Sequence, residues 1–172
     1  AKVVDSIDAE EIIFVPDRNL GSYVQKVLGN KKKLILYEGY CYVHDRIKKE
    51  EILKMKEMYP RAKVLVHPEA RMDVLDLADE VLSTSGMLRY AADSPGNQFI
   101  IGTEQGLIER MKRENPGKEF YPPLKAKTCS NMKKTGLIDI ANALEYDRYE
   151  IEIEESISRK AVDALNEMLK YI

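Results

Sequence analysis

The chain has 172 residues, with 27 Lys and Arg against 29 Asp and Glu and a net charge of −2. That length can bury one ordinary domain or two small lobes. The near balance of charge excludes the strong field that a nucleic-acid or anionic-membrane binder uses, and no apolar run approaches the roughly 20 residues that span a bilayer.

The start, AKVVDSIDAEE, is charged and amphipathic and carries no signal-peptide pattern. It begins with Ala inside a predicted helix, as expected of a processed or truncated product. Residues 1–8 read as the end of that helix. Ile12 to Val15 reads as a buried strand closed by Pro16-Asp17. A helix is predicted over 18–28, with Gly29-Asn30 as its stop. Leu34 to Tyr37 is the next strand, and the loop EGYC follows. A helix over 46–59 places Ile52, Met55 and Tyr59 on one face and ends at Pro60. Lys63 to Val66 is a strand followed by HPEA. Residues 70–78 are predicted helical, Glu80 to Leu82 a strand, and STSG opens a helix through Tyr90. Phe99 to Ile101 is a strand, then GTEQG leads into a helix with Leu107 and Met111 on one side. Glu119 to Tyr121 is a short strand, and 122–128 reads as a crossing segment. A helix over 135–145 carries Leu137, Ala141 and Leu144 on one side. Ile151 to Ile153 reads as a strand. A last helix over 156–170 turns Ile157, Ala161, Leu165 and Met168 inward. Strand and helix alternate almost without exception, so the fold class is α/β, with short parallel sheets and helices on both faces.

Ligands of open parallel sheets bind beyond the carboxyl ends of the strands. The residues there are therefore the candidates. Cys41 follows the second strand, and Cys129 follows the crossing segment. Two such cysteines make no disulfide framework, and a reducing cytoplasm is the expected setting. A lone free cysteine is either an inert small hydrophobe or a soft metal ligand. Neither has a CxxC partner, and two thiolates alone cannot complete a cubane iron–sulfur cluster. His67 and Glu69, two apart after KVLV, can bind a substrate carboxylate or imine and move a proton; Glu69 could equally serve only the helix start beside it. Ser83-Thr84-Ser85-Gly86 opens a helix after a strand, which suits either an anion or plain N-capping. Asp17 or Asn19 reads as a helix cap. His44, three residues after Cys41, reads as structural. There is no P-loop, GxGxxG or HExxH.

Together, FVPDRNLG (14–21), GYCYVH (39–44), VHPEA (66–70), STSGM (83–87), FIIGTEQGLI (99–108) and CSNMKK (129–134) resemble the quinolinate synthase family of NAD biosynthesis. Their order and approximate spacing follow the family over essentially the whole chain. The resemblance implies three αβα sandwich lobes about a pseudo-threefold axis, with the active site where they meet. It implies one [4Fe–4S] cluster held by three cysteines, one iron being open to substrate. It implies condensation of iminosuccinate with dihydroxyacetone phosphate to quinolinate, phosphate and water. L-aspartate oxidase or aspartate dehydrogenase would supply the iminosuccinate, and no nucleic acid or membrane takes part. By the same resemblance, Cys41 and Cys129 match two of the three cluster ligands. His67 and Glu69 match substrate-binding residues, with Glu69 the local acid/base. Thr84, with Ser83 beside it, matches the hydroxyl site for a substrate carboxylate or phosphate.

The resemblance reaches only the C-terminal part of the family's length, so the third cysteine ligand is absent from this chain. It then divides the chain into 1–37 as the end of the second lobe, 38–122 as a complete third lobe, and 123–172 as a return segment completing the first. Ala70 stands where many relatives have Cys, a position outside the three ligands. Two other readings remain: a non-catalytic α/β small-molecule binding module, and a zinc-binding domain using Cys41, Cys129 and His67, whose spacing is not compact.

Overall fold

A computed structural model describes residues 1–171; Ile172, the end of the predicted 123–172 segment, lies outside the described residues. The elements in chain order are α1 (Lys2–Ser6), β1 (Glu11–Phe14), α2 (Arg18–Leu28), β2 (Lys33–Leu36), α3 (Tyr42–Asp45), α4 (Lys49–Met58), β3 (Lys63–Val66), α5 (Met72–Leu75), β4 (Glu80–Val81), α6 (Thr84–Asp93), β5 (Gln98–Gly102), α7 (Gln105–Glu114), β6 (Glu119–Tyr121), α8 (Leu137–Tyr146) and α9 (Glu155–Leu169). They fall into two compact units, one of Glu10–Thr128 and one of Ala1–Ala9 with Cys129 onward.

In the first unit every strand pairing is parallel, as predicted. β1 and β2 form a two-stranded sheet, and the other four strands run in the order β4-β3-β5-β6. Period-two patterning sorts the larger sheet's side chains to its two faces. Val64, Val66 and Ile100 pack with Ile47, Ile52, Met55, Val74 and Leu75 from α4, α5 and their flanks. Leu65, Phe99, Ile101 and Phe120 pack with Met87, Ala91, Ile108 and Met111 from α6 and α7. These two apolar layers either side of one sheet are the αβα sandwich. Local chemistry sets the helix ends. Asp17 caps α2, Ser83 caps α6 and Glu104 caps α7. Gly29, at φ 61°, closes α2 in a conformation that side chains disfavour.

The strand order matters for function. From β3 the chain goes to β4 on one side, then returns to β5 on the other. The crevice between the carboxyl ends of β3 and β5 is therefore the sheet's topological switch point.

The structure corrects four sequence expectations. The strand expected to be buried at Ile12 to Val15 is not: Ile13 is 73% exposed and Val15 60%, because no layer of the described residues covers that face of the two-stranded sheet. The helix predicted from residue 46 starts at Lys49, and the short α3 forms ahead of it. Residues 151–153 form no strand; an apolar run becomes a strand only where a neighbour takes its backbone hydrogen bonds. The apolar side of α9 does not turn inward, and the apolar side of α8 is exposed as well. Leu137 is 86% exposed and Leu144 83%, and Ile157, Ala161, Leu165 and Met168 are exposed too. Among the described residues, their own unit has no strand to lie over them. No helix of the described residues is long and apolar enough to cross a membrane.

Candidate functional site

The site is assembled from four segments of the 10–128 unit, the last being Thr103 just after β5. The first is the turn Pro16-Asp17-Arg18-Asn19. Asp17 is almost fully buried, and its two carboxylate oxygens do different work. Oδ1 accepts from the Leu20 amide at 2.8 Å, capping α2, and Oδ2 accepts from the Cys41 amide at 2.7 Å. The Arg18 amide donates to the Gly39 carbonyl at 2.8 Å. A Cβ on Gly39 would lie 2.4 Å from the Pro16 carbonyl oxygen, so only glycine lets these backbones approach. The second segment, GYCYVH, is thus held against the first by main-chain contacts.

Asn19 ties in the third. Its Nδ2 donates to Asp45 Oδ1 at 3.1 Å and to the Glu69 carbonyl at 3.0 Å. The HPE loop follows β3, with the His67 amide bonded to the Gly102 carbonyl of β5. Glu69 then reaches back toward α3. Its Oε2 lies 3.0 Å from His44 Nδ1 and 3.7 Å from His67 Nδ1. On its other side His44 Nε2 lies 3.0 Å from Thr103 Oγ1. The two imidazoles stack, with ring centroids 4.2 Å apart and planes 12° from parallel.

These contacts fix protons. Hydrogen bonding from His44 holds the Glu69 carboxyl below its usual range against the opposing effect of burial, and the charges of both histidines and a Cys41 contact add to it. Glu69 is therefore a carboxylate at neutral pH. His44 Nδ1 must then carry the hydrogen, which leaves Nε2 to accept from the Thr103 hydroxyl. Burial, with His44 beside it, pushes His67 down to about 4, partly offset by Glu69 and Asp17. His67 is thus a neutral hydrogen-bonding group at pH 7. Cys41 starts α3. Burial raises its thiol, the Val43 and His44 amides oppose that rise, and the charges of Glu69 and Asp17 reinforce it.

The shifts carry a stability prediction. His67 has a folded pKa below its unfolded value, so its contribution is complete above about 6.5 and is lost as pH falls toward about 4. Glu69, also lowered, loses stability in the same direction at lower pH. Urea titrations of the wild-type chain should therefore show stability falling below pH 6.5, by on the order of 3 kcal/mol at most from His67. His67→Gln should remove most of the slope between pH 6.5 and 4.5; an unchanged slope contradicts the assignment.

The sequence candidates divide as follows. Cys41, His67 and Glu69 converge. Ser83 and Thr84 stand at the same sheet edge after β4, next to β3, both exposed, with Ser83 Oγ accepting from the Gly86 amide at 3.2 Å. Cys129 belongs to the other unit. Three participants were not promoted from the sequence: His44, Thr103 and the second oxygen of Asp17. His44 had a visible signal, since the chain has two histidines in all and both follow strands.

Parallel αβα layering, with ionisable side chains gathered at a switch point, defines the class: an α/β protein whose polar cluster stands at the sheet edge where such folds bind ligands. The family model of the quinolinate synthetase A protein matches residues 1–170. A quinolinate synthase of Caldicellulosiruptor saccharolyticus is 48% identical over 169 residues, 98% of this chain and 55% of that protein. Quinolinate synthase 2 of Methanosarcina acetivorans is 45% identical over 97% of this chain and 53% of that protein. The quinolinate synthase of Thermodesulfovibrio yellowstonii is 46% identical over 99% and 56%. The chain belongs to the quinolinate synthetase A protein family, and it spans about half the length of the curated relatives it matches.

Proposed function

We propose that this chain is the C-terminal part of a cytoplasmic quinolinate synthase acting in NAD biosynthesis. It would join iminosuccinate to dihydroxyacetone phosphate with loss of phosphate and water. The observation that carries the reading is the convergence of Cys41, His44, His67, Glu69 and Thr103 at strand ends, in a chain of this family. An upstream oxidation of an amino acid to its imine, by L-aspartate oxidase or aspartate dehydrogenase, would supply the first substrate.

Glu69, His44 and Thr103 form a hydrogen-bonded chain from a carboxylate to a buried hydroxyl. Such a chain holds Glu69 ionised and oriented, ready to take a proton and return it during the dehydrations. His67, neutral and stacked on His44, offers a donor or acceptor to a substrate carboxylate or imine. Ser83 and Thr84, at the start of α6, offer hydroxyls and free amide hydrogens to a carboxylate or phosphate. Cys41 suits a thiolate ligand of the [4Fe–4S] cluster: it is half-exposed, and the Val43 and His44 amides face its sulfur, a contact that tunes such ligands. Cys129 is the second ligand in this reading, and the third comes from sequence outside this chain. When bound, the cluster supplies a Lewis acid for loss of hydroxide.

The missing part also gives the exposed apolar faces their partner. Ile13 and Ile35 on the two-stranded sheet, Tyr37 just past it, and the α8 and α9 faces are the surfaces it would cover as 1–37 and 123–172 complete their lobes around the 38–122 lobe.

The test is anaerobic reconstitution of the full-length protein, followed by iron and sulfide analysis. About four of each per chain are expected, with quinolinate formation from the two substrates. Cys41→Ser and Cys129→Ser should each lose the cluster. A full-length protein that takes up no sulfide and forms no quinolinate overturns the reading.

A further inference from the structure

Cys41, His44 and Glu69 each offer one ligand atom, and these atoms all lie within 4.8 Å of one another. Two of the separations are held by protons. The His44 Nδ1 hydrogen lies between nitrogen and Glu69 Oε2 at 3.0 Å, and Cys41 also contacts the Glu69 carboxylate. Protons shared among a thiol, an imidazole and a carboxylate occupy the place a small cation would take.

We propose that, with no cluster bound, these three residues form a mononuclear site for a soft divalent ion, zinc above all, with the fourth position open to water. The donor set favours zinc over magnesium or calcium, which prefer all-oxygen sites. Tetrahedral zinc needs about 2.3 Å to sulfur and 2.0–2.2 Å to nitrogen and oxygen, which sets the ligand atoms roughly 3.3–3.6 Å apart; the 3.0 Å His44–Glu69 pair need open only slightly, and the Cys41 sulfur, within 4.8 Å of both, closes by rotation of its side chain. Protons balance. The thiol hydrogen leaves to solvent, and His44 moves its single N–H from Nδ1 to Nε2. There it donates to Thr103 Oγ1, already 3.0 Å away, the outer contact that orients a ligating imidazole. One thiolate and one carboxylate neutralise the dication. Asp17 and Asn19 hold the Cys41 amide and the Glu69 carbonyl, so both ligand loops are fixed before the ion arrives. Cys129 and His67 take no part, unlike in the zinc domain considered from sequence.

The consequence is competition. An ion seated on Cys41 withholds that thiolate from cluster assembly, so zinc would keep the protein in a cluster-free state. This competition rests on the function proposed above; the ion site itself does not.

The test uses the metal-free 172-residue chain. Titration with Co²⁺ should saturate at one equivalent, with a thiolate charge-transfer band, and Zn²⁺ should displace it. Zinc should protect Cys41, but not Cys129, from alkylation mapped by mass spectrometry, a result that needs no variant. Cys41→Ser should abolish the band. His44→Gln should weaken Zn²⁺ binding by at least about 100-fold, and Thr103→Val by about 10-fold, the lower end of outer-contact losses. Cys129→Ser should change neither. Zinc protection of Cys129, loss of the band in Cys129→Ser, or undiminished affinity in a folded His44→Gln chain overturns the proposal. The two readings fail separately: a full-length His44→Gln protein should take up iron and sulfide while losing zinc. A full-length wild-type protein that binds zinc and never the cluster removes the function and leaves the ion site.

Discussion

Lys127→Met should destabilise the 10–128 unit by about 3–5 kcal/mol, read as a lowered urea midpoint with an unchanged slope. Lys127 Nζ lies 2.9 Å from Glu51 Oε1 and 2.8 Å from Oε2, and the two side chains are only 11% and 10% exposed. Glu51 is also the third residue of α4, where its Oε2 accepts from the Lys48 amide at 3.1 Å. Removing the ammonium leaves a carboxylate out of water with a single amide to compensate. That uncompensated charge, rather than the lost attraction, makes the cost large. Changing both partners separates the two effects. Glu51→Gln with Lys127→Met removes the charge while keeping a side chain that can accept from Lys48, and should recover most of the loss. A double variant no more stable than Lys127→Met rejects this account. The pair also has a place in the chain. The Lys127 carbonyl accepts from the Gln105 amide at 2.8 Å, so residue 127 is pinned to the starts of both α4 and α7. Cys129 lies two residues further on. Alkylation of Cys129 in Lys127→Met should therefore quicken relative to Cys41.

Much of this was legible in the sequence, for identifiable reasons. KVLV and FII announce strands buried on both faces, IIFV announces a strand but not its exposure, and Asp17, Ser83 and Gly29 punctuate helices by local chemistry that tertiary contacts do not override. Candidate residues followed from one topological rule, since parallel strands deliver their following loops to a common edge. That rule finds His67 and Glu69. It does not find the partner of Glu69. His44 and Thr103 are 25 positions before and 34 positions after it (69 − 44 and 103 − 69), and their contacts exist only once β3 lies beside β5. A lone loop histidine is structural more often than not; here it is structural and chemical together, because the side chain that orients Glu69 is also stacked on His67. Asp17 carries the same lesson. Its capping oxygen is predictable from the next three residues, but the oxygen that holds the Cys41 amide is not. At the C-terminal end, the 3.6-residue period correctly announces α8 and α9 but not what covers them. Periodicity marks an apolar face and is silent about its partner. Ile151 to Ile153 fails for a related reason, since a strand is a property of a pair.

Glu69→Gln should abolish most of the proposed activity of the full-length protein, by about 10²–10⁴-fold in kcat, while leaving its fold almost untouched. Structure and chemistry separate at this side chain because of the direction of the His44 bond. His44 Nδ1 donates, and an amide oxygen can still accept from it, though more weakly than the carboxylate. The chain to Thr103 survives and the rings stay stacked, so the protein stays folded, and the urea midpoint at pH 7.5 should fall only by the modest stability the ionised Glu69 contributes. The charge is gone, however, and an amide cannot take a proton and return it. The pH–rate profile sharpens the test. The wild-type profile should carry an acidic limb from the lowered Glu69 carboxyl, lost as the pH falls and the carboxylate is protonated. That limb should vanish from the residual activity of Glu69→Gln. Thr103→Val cuts the outer end of the same chain without touching the carboxylate. It should lower kcat more modestly and keep the limb. If Glu69→Gln turns over normally in a folded, cluster-loaded protein, Glu69 is not the acid/base, and His67 becomes the side chain of this chain placed to move the proton.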